Sequence, residues 1–227
     1  MSPPELRRGV VTIDGPAASG KSSTAEWVAR ELGFTHVDSG AFYRAVTAAV
    51  LRTGMPPGEW TPQLVLEAAR IVSAALAGAS MVPHLVGDPA DAEIRNPQVT
   101  ANVPRVARMP AVRAWVNAQV RQVATERPIV VDGRDMGTAV FPEADVKVYL
   151  VADPWERAKR RLMQHLRRLP TDAEIAAETD RLVHRDAADA TQSVAARDAV
   201  LIDTTHLMQE EQVARIVALA RAALGPA

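Results

Sequence analysis

The residues best suited to chemistry form one short segment near the start of the chain, Gly15-Pro-Ala-Ala-Ser-Gly-Lys21-Ser22. Its two glycines allow backbone conformations that a Cβ disfavours, so successive N–H groups can turn around a polyphosphate at the start of a helix. Lys21 would then reach the β- and γ-phosphates, and the Ser22 hydroxyl would be a ligand for Mg²⁺. The segment predicts a nucleotide phosphate loop, with an ordinary glycine-rich turn as the alternative.

Two more polar segments follow predicted strands farther along the chain. Asp38-Ser-Gly-Ala-Phe-Tyr-Arg44 leaves one strand and places an arginine one turn into the next helix, where it can hold an acceptor phosphate. The second segment, residues 132–138, carries Asp132, Arg134 and Asp135 in a glycine-loosened turn; it is called the Asp132 loop below. Because ligands of open parallel sheets bind at the carboxyl ends of the strands, we expect both segments beside the phosphate loop.

The polar side chains of the Asp132 loop each have a second interpretation. Asp132 can act on Mg²⁺ through water, or it can only cap the end of its strand. Arg134 can bind a ligand, or it can form a surface ion pair. Two acidic residues, two glycines and an arginine clustered after a core strand favour a ligand-binding loop.

A further polar cluster is basic, and its members recur at helical spacing, so that several guanidinium groups share one helix face. Its members are Arg157, Lys159, Arg160, Arg161, Arg167 and Arg168. Such a run is usually a solvated helix face. Its place after a predicted strand also fits a lid that carries arginines toward a transferring phosphoryl group.

Short β-type runs alternate with helical runs, which predicts a parallel sheet covered by helices on both faces. The predicted strands are residues 10–13, 35–37, 129–131, 146–151 and 199–202. The predicted helices are residues 21–32, 41–52, 111–125 and 209–224, with another beginning at 153–156, where Asp153 can cap and Pro154 suits the first position. These elements must position the phosphate loop, the two polar segments that follow strands, and the basic cluster.

The stretch from residue 55 to residue 108 breaks this alternation. It predicts one helix at residues 61–77, followed by a run rich in Gly, Pro and Asp with weak strand signals at 81–86. We interpret it as a small insert. On physical grounds, a solvent-exposed extension without a function is as plausible for this insert as a functional role.

Composition limits the remaining possibilities. A chain of 227 residues suits one large α/β domain, or one domain with an insert. A formal net charge of −1 gives no general electrostatic attraction to nucleic acid or to a membrane surface. The absence of Cys excludes disulfides and thiolate catalysis. The polar start and the lack of a long apolar run predict a soluble, cytoplasmic protein.

Over nearly its whole length the chain resembles the bacterial cytidylate kinases. The resemblance is carried by the phosphate loop and by six further segments. These are Asp38-Ser-Gly-Ala-Phe-Tyr-Arg44, Ile94-Arg95, Pro110-Ala-Val-Arg113, Asp132-Gly-Arg-Asp-Met-Gly-Thr-Ala-Val-Phe-Pro142, Val146-Lys-Val-Tyr-Leu150 and Arg185-Asp-Ala-Ala-Asp189. It implies transfer of the ATP γ-phosphoryl group to CMP or dCMP. It also implies a P-loop NTPase-type fold with a parallel five-stranded sheet, and a single kinase domain that we expect to be a monomer. The core would be residues 9–54 and 109–227, the monophosphate-binding insert about 55–108, and the arginine-rich lid about 160–190.

The resemblance also implies roles for individual residues. ATP would be bound by Gly15, Pro16, Ala17, Ala18, Ser19, Gly20, Lys21, Ser22 and Ser23, with Ser22 on Mg²⁺. The acceptor site would contain Ser39, Tyr43, Arg44, Arg113, Asp132, Arg134, Asp135, Arg185 and Asp189. Among these, Arg44 and Arg134 would hold the phosphate, Ser39, Arg113 and Asp135 the cytosine edge, and Arg185 and Asp189 the ribose. The negative charge on the phosphoryl group during its transfer would be stabilised by Lys21, Arg134, Arg160 and Arg161.

Two positions depart from the family pattern. Pro104 stands where a serine near the base and sugar is common, and Gln192 stands where an arginine is common. Both departures concern acceptor affinity and the choice between ribose and deoxyribose. Two other functions remain open from the residues: a kinase for another small acceptor, and a nucleotide-binding switch. The chain lacks the Asn/Thr-Lys-x-Asp motif that reads guanine, which disfavours a GTP switch.

Overall fold

A computed structural model describes residues 9–166 and 168–225 of the chain. The polar residues 1–8 and Arg167 of the predicted basic cluster lie outside the described residues. The strands are β1 Val10–Asp14, β2 Thr35–Asp38, β3 Val72–Ala77, β4 Ser80–Leu85, β5 Asp88–Pro89, β6 Ile129–Gly133, β7 Val146–Val151 and β8 Val200–Asp203. The helices are α1 Lys21–Leu32, α2 Ser39–Leu51, α3 Pro62–Ala68, α4 Asp91–Ile94, α5 Pro97–Ala107, α6 Pro110–Glu126, α7 Pro154–His165, α8 Asp172–Asp189 and α9 Gln209–Leu224.

The described residues form two compact units, one up to Leu32 and from Val130 onward, the other Gly33–Ile129. In the first unit the strand order is β6-β1-β7-β8. β7 runs parallel to both β1 and β8, with Val11 beside Val146 and Val148 beside Val200. Parallel pairs of this kind place their carboxyl ends at one edge, as the alternation of strands and helices predicted.

Helices cover this sheet through buried apolar side chains. Val11 and Ile13 of β1 are fully buried, as are Val28 of α1 and Ile216 of α9. A hydrogen bond from Thr24 Oγ1 to Gln212 Oε1 (3.1 Å) joins α1 to α9. Runs of β-branched residues buried on both faces are typical of parallel strands.

The second unit is built around α2, whose alanines pack against Leu85, Ile94 and Val99. Asp38 caps this helix, because its Oδ1 accepts from the N–H of Ala41 at 3.0 Å. In its sheet β4 pairs in parallel with β2 and antiparallel with β3 and β5.

One helix prediction in this region is wrong, and so is the predicted total number of strands. Residues 61–77 were predicted as one helix, but α3 ends at Ala68 and Val72–Ala77 form β3. The alanines there favour helix by intrinsic propensity, yet a turn with Gly78 at φ +60° folds the segment back onto β4. The mostly exposed β3 also lacks the alternation that marks a strand. The described residues therefore contain eight strands rather than five.

The other predicted strands and helices lie within a few residues of their predicted places, whereas β5, α4, α5 and α8 were not predicted. The weak strand signal at 81–86 corresponds to β4, and the predicted start at 153–156 corresponds to α7, with Asp153 Oδ1 accepting from the N–H groups of Trp155 and Glu156. Within the described part of the chain, no helix combines the length and apolarity that crossing a membrane requires.

Candidate active site

The phosphate loop joins β1 to α1 in the first unit. Gly15 has φ +149° and Gly20 has φ +88°, conformations that residues with a Cβ rarely adopt. A Cβ on Gly15 would lie 2.3 Å from the carbonyl oxygen of Leu150, so the neighbouring strand leaves room only for hydrogen. Ala18 has φ +57° without being a glycine, which stores strain inside the loop.

Two polar side chains at the start of α1 lie over this loop. Lys21 Nζ donates to the carbonyl oxygen of Pro16 at 2.6 Å and to Ser19 Oγ at 3.4 Å. Ser22 Oγ donates to Asp132 Oδ2 at 2.6 Å, which joins the phosphate loop to the Asp132 loop across 110 residues of sequence. The structure thus brings the phosphate loop and the Asp132 loop together.

The Ser22–Asp132 pair has the chemistry of a magnesium site. Mg²⁺ takes oxygen ligands and is usually held by one or two protein groups, while phosphates and waters fill the remaining positions. A hydroxyl and a carboxylate in contact beside a phosphate loop fit that requirement. Among the described residues no group of three or more His, Cys, Asp or Glu forms a metal cage.

Asp14 is a site residue that the sequence did not reveal. The residue is 4% exposed, and its carboxylate accepts from the backbone N–H groups of Met136 (2.9 Å) and Gly137 (2.8 Å). These two residues begin the π-helical turn Met136–Val140, so Asp14 fixes the end of the Asp132 loop. Burial raises the pKa of Asp14 to about 6, although the two backbone hydrogen bonds act in the opposite direction.

Arg134 connects the phosphate loop to the end of α8. Its Nη1 donates to the carbonyl oxygen of Gly15 at 2.8 Å, and its Nη2 lies 3.2 Å from Asp189 Oδ2. Arg185 Nε lies 3.9 Å from the same carboxylate oxygen. Asp135, the next residue after Arg134, is buried. Arg134, Arg185 and Asp189 therefore meet beside the phosphate loop.

The predicted lid arginines have specific partners. Arg160 Nη2 donates to the carbonyl oxygens of Thr204 (2.6 Å) and Thr205 (2.8 Å). Arg161 Nε lies 3.0 Å from Glu178 Oε1 on α8. These contacts tie α7 to its neighbours. A role for either arginine toward a phosphoryl group stays a prediction.

Four predicted acceptor-site residues belong to the second unit. Ser39 and Tyr43 are buried on α2. Arg44 Nη1 donates to Thr100 Oγ1 at 3.0 Å and to the carbonyl oxygen of Ile94 at 3.4 Å, so the guanidinium reaches α4 and α5. Arg113 Nη1 donates to the carbonyl oxygen of Ala107 at 3.4 Å. Their roles toward an acceptor stay predictions.

Comparison with known proteins gives consistent matches. The family model described as "Cytidylate kinase" matches residues 11–222. A cytidylate kinase from Thermus thermophilus is 42% identical over 212 residues, covering 93% of this chain and 98% of that protein. One from Chloroherpeton thalassium is 38% identical, covering 93% and 92%. One from Limosilactobacillus reuteri is 39% identical, covering 91% and 92%.

Proposed function

Because the chain belongs to the cytidylate kinase family, we propose that it transfers the γ-phosphoryl group of ATP to CMP and dCMP, giving ADP and CDP or dCDP. The observation that best supports this proposal is the Ser22–Asp132 contact. It joins a nucleotide phosphate loop to the loop that carries Arg134 and Asp135, as a site that handles a donor and an acceptor together requires.

ATP would bind along the phosphate loop. The backbone N–H groups of the turn that contains Gly15 and Gly20 suit the α- and β-phosphates, and the Lys21 ammonium group, which lies beside the loop, suits the γ-phosphate. Ser22 and Asp132 would hold Mg²⁺, directly or through water. When bound, Mg²⁺ supplies charge neutralisation between the β- and γ-phosphates.

The transfer needs no nucleophile from the protein. A phosphate oxygen of CMP attacks the γ-phosphorus in line, and the bond from that phosphorus to the bridging oxygen of ADP breaks. The protein contributes position and charge, because negative charge spreads over the moving group. Lys21 and Arg134 are the cations of this proposal, and both contact the phosphate loop, since Lys21 donates to the carbonyl oxygen of Pro16 and Arg134 to that of Gly15. Arg160 and Arg161 would join them only if they exchange their present partners.

The acceptor would be recognised by charge and hydrogen-bond pattern. Arg44 and Arg134 suit the phosphate, because guanidinium groups bind phosphate oxygens in pairs. Cytosine offers acceptors at O2 and N3 and a donor at N4, which suits Arg113 together with Asp135. Uracil has a carbonyl in place of N4 and would face the Asp135 carboxylate unfavourably. Ser39 would also contact the base, Arg185 and Asp189 the ribose, and Tyr43 the acceptor site.

Domain organisation, cellular location, oligomeric state and partners complete the proposal. We propose one kinase domain with its core at residues 9–54 and 109–227, a monophosphate-binding insert at about 55–108, and a lid at about 160–190. A cytoplasmic location and a monomeric state stay predictions of the sequence. Small molecules, and not nucleic acid or membranes, are the proposed partners.

One assay tests the function. ADP release is measured with ATP and each of CMP, dCMP, UMP, AMP and GMP, on the wild type and on Lys21→Met, which removes the ammonium at nearly constant length. We expect CMP and dCMP to give the highest kcat/KM, and Lys21→Met to lower CMP-dependent turnover by about 100-fold or more. A preference for another monophosphate, or near-normal turnover by Lys21→Met, would contradict the proposal.

A further inference from the structure

Two side chains, one from α7 and one from α8, contact the backbone of the same phosphate-loop residue, Ala17. Arg157 Nη1 of α7 donates to the carbonyl oxygen of Ala17 at 2.8 Å, while the N–H of Ala17 donates to Asp186 Oδ1 of α8 at 3.3 Å. Arg157 Nη1 also lies 2.7 Å from Asp186 Oδ2. The three groups close a ring around Ala17. We call it the Ala17 clamp.

Burial makes this clamp stronger than a surface ion pair. The Arg157 side chain is 5% exposed and that of Asp186 is 24% exposed. Arg157 Nε is satisfied as well, since it donates to the carbonyl oxygen of Ala152 at 3.1 Å. Charge-assisted hydrogen bonds of this kind exceed neutral ones in strength, and removal of one partner leaves the other charge buried and uncompensated.

The clamp acts where the phosphate loop is strained. The next residue, Ala18, has φ +57°, a conformation that only surrounding contacts can maintain in a non-glycine residue. Ala17 also belongs to a buried apolar cluster with Ala158 of α7 and with Ile175 and Leu182 of α8. Both polar and apolar contacts from the two helices therefore converge on one residue of the loop.

Asp186 is suited to position the loop rather than to touch the nucleotide. A free carboxylate beside a polyphosphate would repel it, but here Arg157 neutralises the charge and directs both oxygens to partners. We infer that Asp186, acting with Arg157, is a positioning residue that holds the phosphate loop in its ATP-binding conformation and couples α8 to ATP binding. This inference rests on the proposed function.

The test compares Asp186→Asn with a matched control. Asn keeps the shape, but its amide can accept from the N–H of Ala17 only by turning its NH₂ toward Arg157, donor against donor. We expect KM for ATP to rise about tenfold, as loss of one charged hydrogen bond implies, while KM for CMP changes less than about twofold. Asp180→Asn, an exposed position on the same helix, should leave both constants unchanged.

Three readouts separate positioning from general support of the fold. Thermal unfolding establishes that each variant is folded at the assay temperature. ATP affinity by titration calorimetry, without CMP, should fall in Asp186→Asn and not in Asp180→Asn. Arg157→Lys keeps the charge but loses the paired geometry, so it should lower the affinity for ATP selectively, and by less than Asp186→Asn does. It serves as the test variant if Asp186→Asn does not fold.

Two results would overturn the inference. One is unchanged ATP affinity in a folded Asp186→Asn or Arg157→Lys. The other is an equal rise of KM for ATP and for CMP, which would mark the clamp as general support of the fold. Failure of the proposed function gives a different result, because the wild type would then bind ATP without phosphorylating CMP.

Discussion

Replacing Asp14 by Asn makes the cost of a buried charge measurable. Asp14 lies at the end of β1, is 4% exposed and accepts two backbone hydrogen bonds from the Asp132 loop. Asn has the size and neutrality of protonated Asp and can still accept one of these bonds. The substitution therefore removes the ionisation of this group while it leaves the local shape in place.

The expected magnitude follows from the pKa. Burial raises the pKa of Asp14 from the ordinary value of 3.8 to about 6 in the folded protein. A pKa raised by folding favours the protonated folded state, so the associated stability is present below pH 4 and is lost as pH rises through 6. At about 1.36 kcal/mol for each pH unit, the loss amounts to about 3 kcal/mol. The amide introduced by Asp14→Asn does not titrate. Between pH 4 and pH 7, the unfolding free energy of this variant should therefore rise by about 3 kcal/mol relative to that of the wild type.

Urea unfolding at several pH values between 4 and 7.5 measures this difference. The quantity of interest is the unfolding free energy of Asp14→Asn minus that of the wild type, which cancels titrations that the two proteins share. Asp180→Asn, at an exposed position, serves as the matched Asp→Asn control. A flat difference for Asp14→Asn, or one that falls as pH rises, would refute the argument that burial outweighs the two backbone bonds.

Three further substitutions test individual roles. Asp135→Ala should lower kcat/KM for CMP about tenfold or more and narrow the preference for CMP over UMP, because the acceptor for N4 is lost; an unchanged ratio in steady-state kinetics would leave Asp135 a structural role. Gln192→Arg should lower KM for CMP several-fold, by about 1 kcal/mol, and shift the CMP/dCMP preference at nearly constant kcat; unchanged KM values would place this position away from the sugar. Gly15→Ala should cost about 2 kcal/mol or more in urea unfolding, since its Cβ would meet Leu150 O at 2.3 Å; wild-type stability would contradict that clash.

Features fixed by local geometry could be predicted from the sequence. The phosphate loop is one of them, because its two glycines with positive φ and the adjacent Lys21 are required within eight consecutive residues. The same holds for the Asp38 and Asp153 caps, each of which acts on N–H groups two or three residues away. The family resemblance drawn from longer motifs is confirmed by the family model over residues 11–222.

Features that depend on distant contacts could not be predicted. Asp14 acts on Met136, 122 positions away, and Arg157 acts on Ala17, 140 positions away. In the sequence Asp14 only ended an apolar run, and Arg157 was one of six basic residues with no sign of burial. β3 was assigned to a helix because its alanines carry no strand signal, and only pairing with β4 decides its conformation.

The central claim is that the γ-phosphoryl group moves from ATP to CMP. Its most direct test uses ATP labelled in the γ-phosphate, incubated with the protein and Mg²⁺ in the presence and absence of CMP, with separation of the products by ion exchange. We expect label in CDP only when CMP is present, with little free phosphate and with strong loss of transfer in Lys21→Met. Label released as inorganic phosphate regardless of CMP, or retained in ATP, would contradict it and favour a nucleotide-binding switch.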